Sequence, residues 1–192
     1  MSFRRLLPFL VGIPVAAAVF GCQDAYAPKA LDYVLQDTVA LRALSGTPLT
    51  ARSGLWLRFV SPTTPGLTEN FDFALDLDAN NKVVILPRTK VLTCTSACQL
   101  GIQLVSTRFD SLYDAPSRGY VYDSVTTVSP GQTVVLVTKE PSCLPSNIAT
   151  YDMYAKIVVD SVRASDRTIF MRAASDPNCG FRGLVPGIVP KH

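Results

Sequence analysis

The stretch NFDFALDLD, Asn70 to Asp78, alternates apolar and polar side chains along its length. Successive side chains of an extended strand point to opposite faces. Phe71, Phe73, Leu75 and Leu77 therefore fall on one side, and Asp72, Ala74, Asp76 and Asp78 on the other, as a half-buried strand requires. Asn80 and Asn81 tolerate positive φ, and Lys82 to Leu86 resumes as a mostly apolar run. The two segments together predict a β-hairpin.

The same grammar recurs along the chain. Leu55 to Val60, Gly101 to Phe109, Gly119 to Val128, Gln132 to Thr138, Thr150 to Val162 and Thr168 to Ala173 are further strand candidates. Ser129-Pro-Gly131 and Ser165-Asp166 mark turns between them. About eight strands and few convincing helices predict an all-β fold, an antiparallel β-sandwich that is Ig-like or jelly-roll-like in outline. Trp56 precedes all of Cys94, Cys98, Cys143 and Cys179, so the cysteine, tryptophan, cysteine order of antibody domains is absent. Leu31 to Leu44 is ambiguous: Leu31, Val34 and Leu35 suit a helical face, while Leu35, Val39 and Leu41 suit a strand.

A chain of 192 residues, 48% hydrophobic and 17% charged, has the length and composition of one folded domain. Its first 21 residues do not belong to that domain. Arg4 and Arg5 precede an apolar run from Leu6 to Phe20, and small residues lead up to Cys22, which is the order of an export signal. The run is shorter than the roughly 20 apolar residues of a membrane span, and it contains Pro8 and Pro14. The expected organisation is a signal over residues 1–21, a tether over 22–30 and a single β-sandwich over 31–192, with Gly183 to His192 as an irregular end.

Val19-Phe-Gly-Cys22 resembles the lipobox of bacterial lipoprotein signals: an aliphatic residue three places before the cysteine, a small one just before it, and the thiol as lipidation site. The resemblance covers the first 22 residues. It implies cleavage before Cys22, diacylglycerol on its thiol and a cell-envelope location, with Gln23 resembling lipoproteins sent to the outer membrane. Two or three acyl chains would hold the protein to a membrane, where one binds only marginally. Two other readings stay open: ordinary cleavage after Ala25-Tyr-Ala27, which would make the protein secreted, and retention of the whole segment as an anchor.

With Cys22 assigned to lipid, Cys94, Cys98, Cys143 and Cys179 remain, an even number in a chain bound for an oxidising compartment. Two disulfides are expected, in one of three pairings. In a straight strand Cys94 and Cys98 would lie roughly 13 Å apart, against the about 4.4 to 6.8 Å that a disulfide spans. Pairing them therefore requires Thr95-Ser-Ala97 to turn, and leaves Cys143 for Cys179. Zinc is the competing use of the four cysteines, but the spacing C-x3-C with two isolated cysteines is not that of a structural zinc knuckle.

The 18 Lys and Arg residues include Arg4 and Arg5, so from Cys22 onward 16 basic residues face 15 acidic ones. The basic residues are scattered, and no run of them could track a phosphate backbone, which argues against a nucleic-acid partner. Histidine occurs only at His192, so the commonest serine and cysteine triads lack their base, and no nucleophile elbow or phosphate loop occurs. A carboxylate pair for glycoside cleavage remains arithmetically open. Asp76, Asp78 and Asn80 open like a calcium loop, D-x-D-x-N, but Asn81 stands where that loop needs glycine and Pro87 where it needs a bidentate glutamate. Trp56, or Tyr120 with Tyr122 on a shared face, offers an aromatic surface for a ligand or partner. The function expected from all this is non-catalytic and cofactor-free: binding or scaffolding at the envelope, as an accessory subunit of a membrane assembly. A carbohydrate-binding or carbohydrate-cleaving domain is the alternative.

Overall fold

A computed structural model describes residues 29–68, 70–94, 98–139 and 152–191. The fold is all-β, with two antiparallel sheets packed face to face. One sheet has six strands in the order β1 (Leu35–Arg42), β11 (Thr168–Asp176), β10 (Asp152–Arg163), β9 (Thr133–Lys139), β6 (Leu100–Val105) and β7 (Val121–Tyr122). The other has five, in the order β3 (Ser61–Thr63), β2 (Gly54–Trp56), β4 (Phe73–Leu77), β5 (Val83–Pro87) and β8 (Thr126–Val128). A single helical turn, α1 (Arg88–Val91), follows β5.

The hairpin expected from NFDFALDLD is present, with Leu77 opposite Val83 and Phe73 opposite Pro87. Asn81 takes a left-handed conformation (φ 57°), and the Asp78 carboxylate accepts hydrogen bonds from Asn80 N and Lys82 N at 2.8 Å each, which closes the turn. Phe71, Phe73, Leu75 and Leu77 are all buried, and Ala74 on the opposite face is buried as well. Phe73, Leu75, Val83 and Ile85 meet Leu41, Leu136, Ile157 and Met171 of the six-stranded sheet in one core. Alternate residues from both sheets thus fill the space between them. Asp72 ties the sheets together at one end: its Oδ2 accepts from Leu57 N at 2.7 Å and its Oδ1 from Thr138 Oγ1 at 2.7 Å.

Several boundaries differ from those read in the sequence, and each for a local reason. The ambiguous Leu31 to Leu44 segment yields β1, held to β11 from Leu35 opposite Ser175 to Arg42 opposite Thr168. The run Leu55 to Val60 breaks after Trp56, because Leu57–Phe59 tightens into a 3-10 turn and Val60 takes φ 49°. Gly119 to Val128 is two strands in different sheets. Asp123, at φ 53°, turns the chain between β7 and β8, and its carboxylate accepts from Leu100 N and Thr89 Oγ1. Gly101 to Phe109 ends as a strand at Val105, and Phe109 enters a second 3-10 turn, Phe109–Ser111. The strand number rises from about eight to eleven among the described residues, through β1, through β3 just beyond the Leu55 to Val60 run, and through the division into β7 and β8.

Candidate functional site

The five-stranded sheet buries one face in the core, whereas the six-stranded sheet has apolar residues on both. Its outer face carries Val135 and Val137 of β9, Tyr154, Lys156 and Val158 of β10, and Ala174 and Asp176 of β11, all buried. Continuous apolar runs of this kind mark strands covered on both sides. The cover comes from the connection between β6 and β7, through Phe109, Leu112 and Ala115, from Leu184 near the C-terminus, and from Val34 ahead of β1.

Lys156 fastens that cover. It is only 2% exposed, and its ammonium donates to Phe109 O at 2.9 Å and Leu112 O at 2.8 Å while lying 4.7 Å from the centre of the Phe109 ring. Arg172 meets the same ring from outside at 5.0 Å and pairs with Asp110 and Asp160. Phe109 is thus contacted by two cations, an arrangement its π-face favours. Burial lowers the Lys156 pKa below its ordinary value, and nearby Asp110 opposes that shift.

A second polar group pins the two ends of the described chain. Asn178 Oδ1 accepts from Leu31 N at 2.8 Å and Asp32 N at 3.0 Å, and its Nδ2 donates to Asp32 O at 2.8 Å and Asp176 Oδ1 at 2.7 Å. Asp176 is fully buried, and burial raises its carboxyl pKa to about 6. Its Oδ2 has no hydrogen-bond partner among the described residues. Its Oδ1 also accepts from Asn178 N at 2.9 Å, and these bonds oppose the effect of burial, so the carboxyl is neutral only below about pH 6. Beyond the latch, Val34 N donates to Ile188 O at 3.0 Å, Gly187 N to Val34 O at 2.9 Å and Leu184 N to Tyr113 O at 2.6 Å. The segment 182–190 therefore lies between Val34 and the β6–β7 connection, and Gly183 leaves room for Pro190, which a Cβ there would meet at 2.8 Å. A shallow groove of about 230 Å³ opens along this seam, bounded by Val34, Tyr113, Val185, Ile188 and Pro190.

The tyrosines lie at the far side of the same face. Tyr120 donates its hydroxyl to Pro116 O at 2.8 Å, packs near Tyr154 with ring centres 6.3 Å apart, and is half-buried; burial moves its pKa above the ordinary value. Gly101 makes space for them, since a Cβ there would stand 3.0 Å from both Tyr120 Cβ and Tyr122 Cε1. Tyr122 is the exposed member of the set. Trp56 is half-buried and meets Phe59 edge-on at 4.6 Å.

Asp76, Asp78 and Asn80 do not converge as a calcium loop would require. Asp76 Oδ1 is taken by Ser45 Oγ at 2.8 Å and by Arg167 at 3.3 Å, while Asp78 is spent inside its own turn. Among the described residues no three His, Cys, Asp or Glu side chains group to hold a metal ion. Cys94 and Cys98 are joined as a disulfide, with Cα atoms 6.2 Å apart. Cys179 is disulfide-bonded as well. These thiols are therefore not available as the zinc ligands of the competing reading. Cys22 and Cys143 lie outside the described residues, and with them the lipobox. No family model, curated protein or solved structure matches the chain.

Nothing in the alternation of residues announced Lys156, Asp176 or Asn178. The one available signal was a lysine inside the apolar run MYAKIVV, Met153 to Val159, where a strand buried on both faces has no solvent for it.

Proposed function

We propose that the protein is a lipid-anchored component of the cell envelope that acts by binding or scaffolding, without catalysis, as an accessory subunit of a membrane assembly. The observation that carries this is a disulfide-stapled β-sandwich whose first residues, Leu31 and Asp32, are clamped to it by Asn178 only a few residues after Cys22. Disulfides accord with an oxidising compartment, and the Val19-Phe-Gly-Cys22 lipobox accords with membrane attachment. The remaining cysteine pair in this reading is Cys143 with Cys179. Intact mass of the membrane-extracted protein tests it: a chain starting at an acylated Cys22, gaining four hydrogens on reduction, is expected. An unmodified mass beginning at Met1 would overturn the anchor.

Exposed Tyr122, beside Tyr120 and Tyr154, favours a second reading as a glycan-binding domain, because tyrosine rings offer flat apolar faces with a polar tip. Retention on isolated envelope glycans, lost on Tyr122→Ala, supports that reading. Co-purification with fixed protein partners from gently solubilised membranes supports the first.

A further inference from the structure

The seam that joins the two ends of the described chain carries four strongly exposed large apolar side chains. Leu31 is 81% exposed, Tyr33 62%, Tyr113 61% and Ile188 53%. They belong together: Val34, next to Tyr33, is hydrogen-bonded to Gly187 and Ile188, and Val34, Tyr113 and Ile188 bound the same groove. Isolated exposed apolar residues need no explanation, whereas a cluster around an apolar groove marks a surface that meets something.

We infer that this face rests on the lipid bilayer surface, with Leu31, Tyr33, Tyr113 and Ile188 entering the headgroup boundary. The inference builds on the lipid anchor proposed above, and chain geometry ties the two together. A fully extended chain advances at most about 3.6 Å per residue, so Leu31 cannot stand more than about 32 Å from Cys22. Asn178 then fixes Leu31 and Asp32 to the sandwich, so the chain leading to the anchor leaves the domain at this seam and holds the seam within that reach of the membrane. The other strongly exposed apolar residues, Leu49 and Leu67 in the loops around β2 and β3, Phe59 after β2, and Val121 and Val125 near β7 and β8, do not border the segment that leads to Cys22. Side-chain chemistry agrees, since tyrosine places an apolar ring in the boundary and its hydroxyl in water. Charge does little here: exposed Lys29, Arg182 and Lys191 face exposed Asp32 and Asp114, a net of one positive charge, so the contact suits zwitterionic lipid and should change little with salt.

The test uses the acylated protein extracted from membranes and placed in phosphatidylcholine vesicles or nanodiscs whose headgroups carry a nitroxide. Paramagnetic relaxation at Leu31, Tyr33, Tyr113 and Ile188 is expected to exceed that at Phe59, Val121 and Tyr122 at least threefold, at low salt and at 0.5 M salt alike. The double variant Tyr33→Ser, Ile188→Ser, which alters only exposed side chains, is expected to abolish the difference while leaving the thermal midpoint unchanged. Even relaxation over the surface of an acylated chain, or relaxation centred on Val121 and Tyr122, would overturn the docking face and leave the anchor standing. A mass without acyl groups at Cys22 would overturn the anchor and the restricted approach that depends on it. Protection of the four residues in native membranes but not in lipid alone would assign the face to a protein partner and overturn the lipid contact.

Discussion

Replacing Asp176 with Asn should change how the stability of this protein depends on pH. The folded carboxyl titrates at about 6 and the unfolded one at its ordinary 3.8, because burial penalises the charged form. Between those values the folded state binds more protons than the unfolded state, so stability must fall as pH rises. The limiting slope is about 1.4 kcal/mol per pH unit, and over the two-unit window the loss comes to about 3 kcal/mol. For a domain of this size that is a fall of about 6–12 °C in melting temperature. Other carboxyl groups titrate at the acid end of the window, so the difference between wild type and the variant isolates Asp176. Asn at position 176 is neutral at every pH and keeps an Oδ1 to accept from Asn178, so the Asp176→Asn variant should lose the slope. The assay is urea or thermal unfolding of the disulfide-intact protein at half-unit steps from pH 4 to 7. A wild-type midpoint that is flat or rises across pH 4 to 6 would refute the reasoning, as would a variant that keeps the wild-type slope.

Three further substitutions probe the face built on the six-stranded sheet. Lys156→Met removes the ammonium donor from Phe109 O and Leu112 O, leaving Phe109 O only its bond from Leu112 N, and should destabilise by about 2 kcal/mol, with faster hydrogen exchange over residues 106–116 than elsewhere. Gly101→Ala places a Cβ 2.5 Å from Val137 Cγ1, which should cost about 1–3 kcal/mol in a urea titration and shift the Tyr122 resonances. Asn178→Ala removes the acceptor of Leu31 N and Asp32 N; loss of about 1–3 kcal/mol is expected, and proteolysis at residues 29–34 should accelerate before the core opens.

The β4–β5 hairpin was legible because its information is local. Alternation sets the buried face, and Asn80 and Asn81 set the turn, within a dozen residues. The breaks at Val60 and Asp123 were not, since neither is a residue type that advertises a left-handed backbone as glycine does, although aspartate tolerates one better than valine. The groups that shape the outer face were the least legible. Asn178 meets Leu31 across 147 positions, and Lys156 meets Phe109 across 47, so no window of sequence holds both partners. Serine, aspartate, proline and asparagine at 175–178 look like turn residues, which conceals that Ser175 and Asp176 are buried strand residues. The calcium pattern failed for the opposite reason. Asp76 and Asp78 are close in sequence, but Arg167 and Ser45 from distant segments claim the first of them.

The pairing of β1 with β11 also sets an order of events in assembly. Among the described residues β1 is an edge strand whose only ladder partner is β11, the last strand described, with Leu35 facing Ser175 and Arg42 facing Thr168. If the chain is exported amino end first, as proposed above, it must hold β1 unpaired until nearly all of it has crossed. During that interval its free edge, with Val39, Ala40 and Leu41, is exposed to other chains. Contacts so far apart in sequence close slowly. The strand nearest the proposed anchor is therefore among the last to be secured, and a chaperone that shields β1 until β11 is available would protect the most vulnerable edge of the nascent protein.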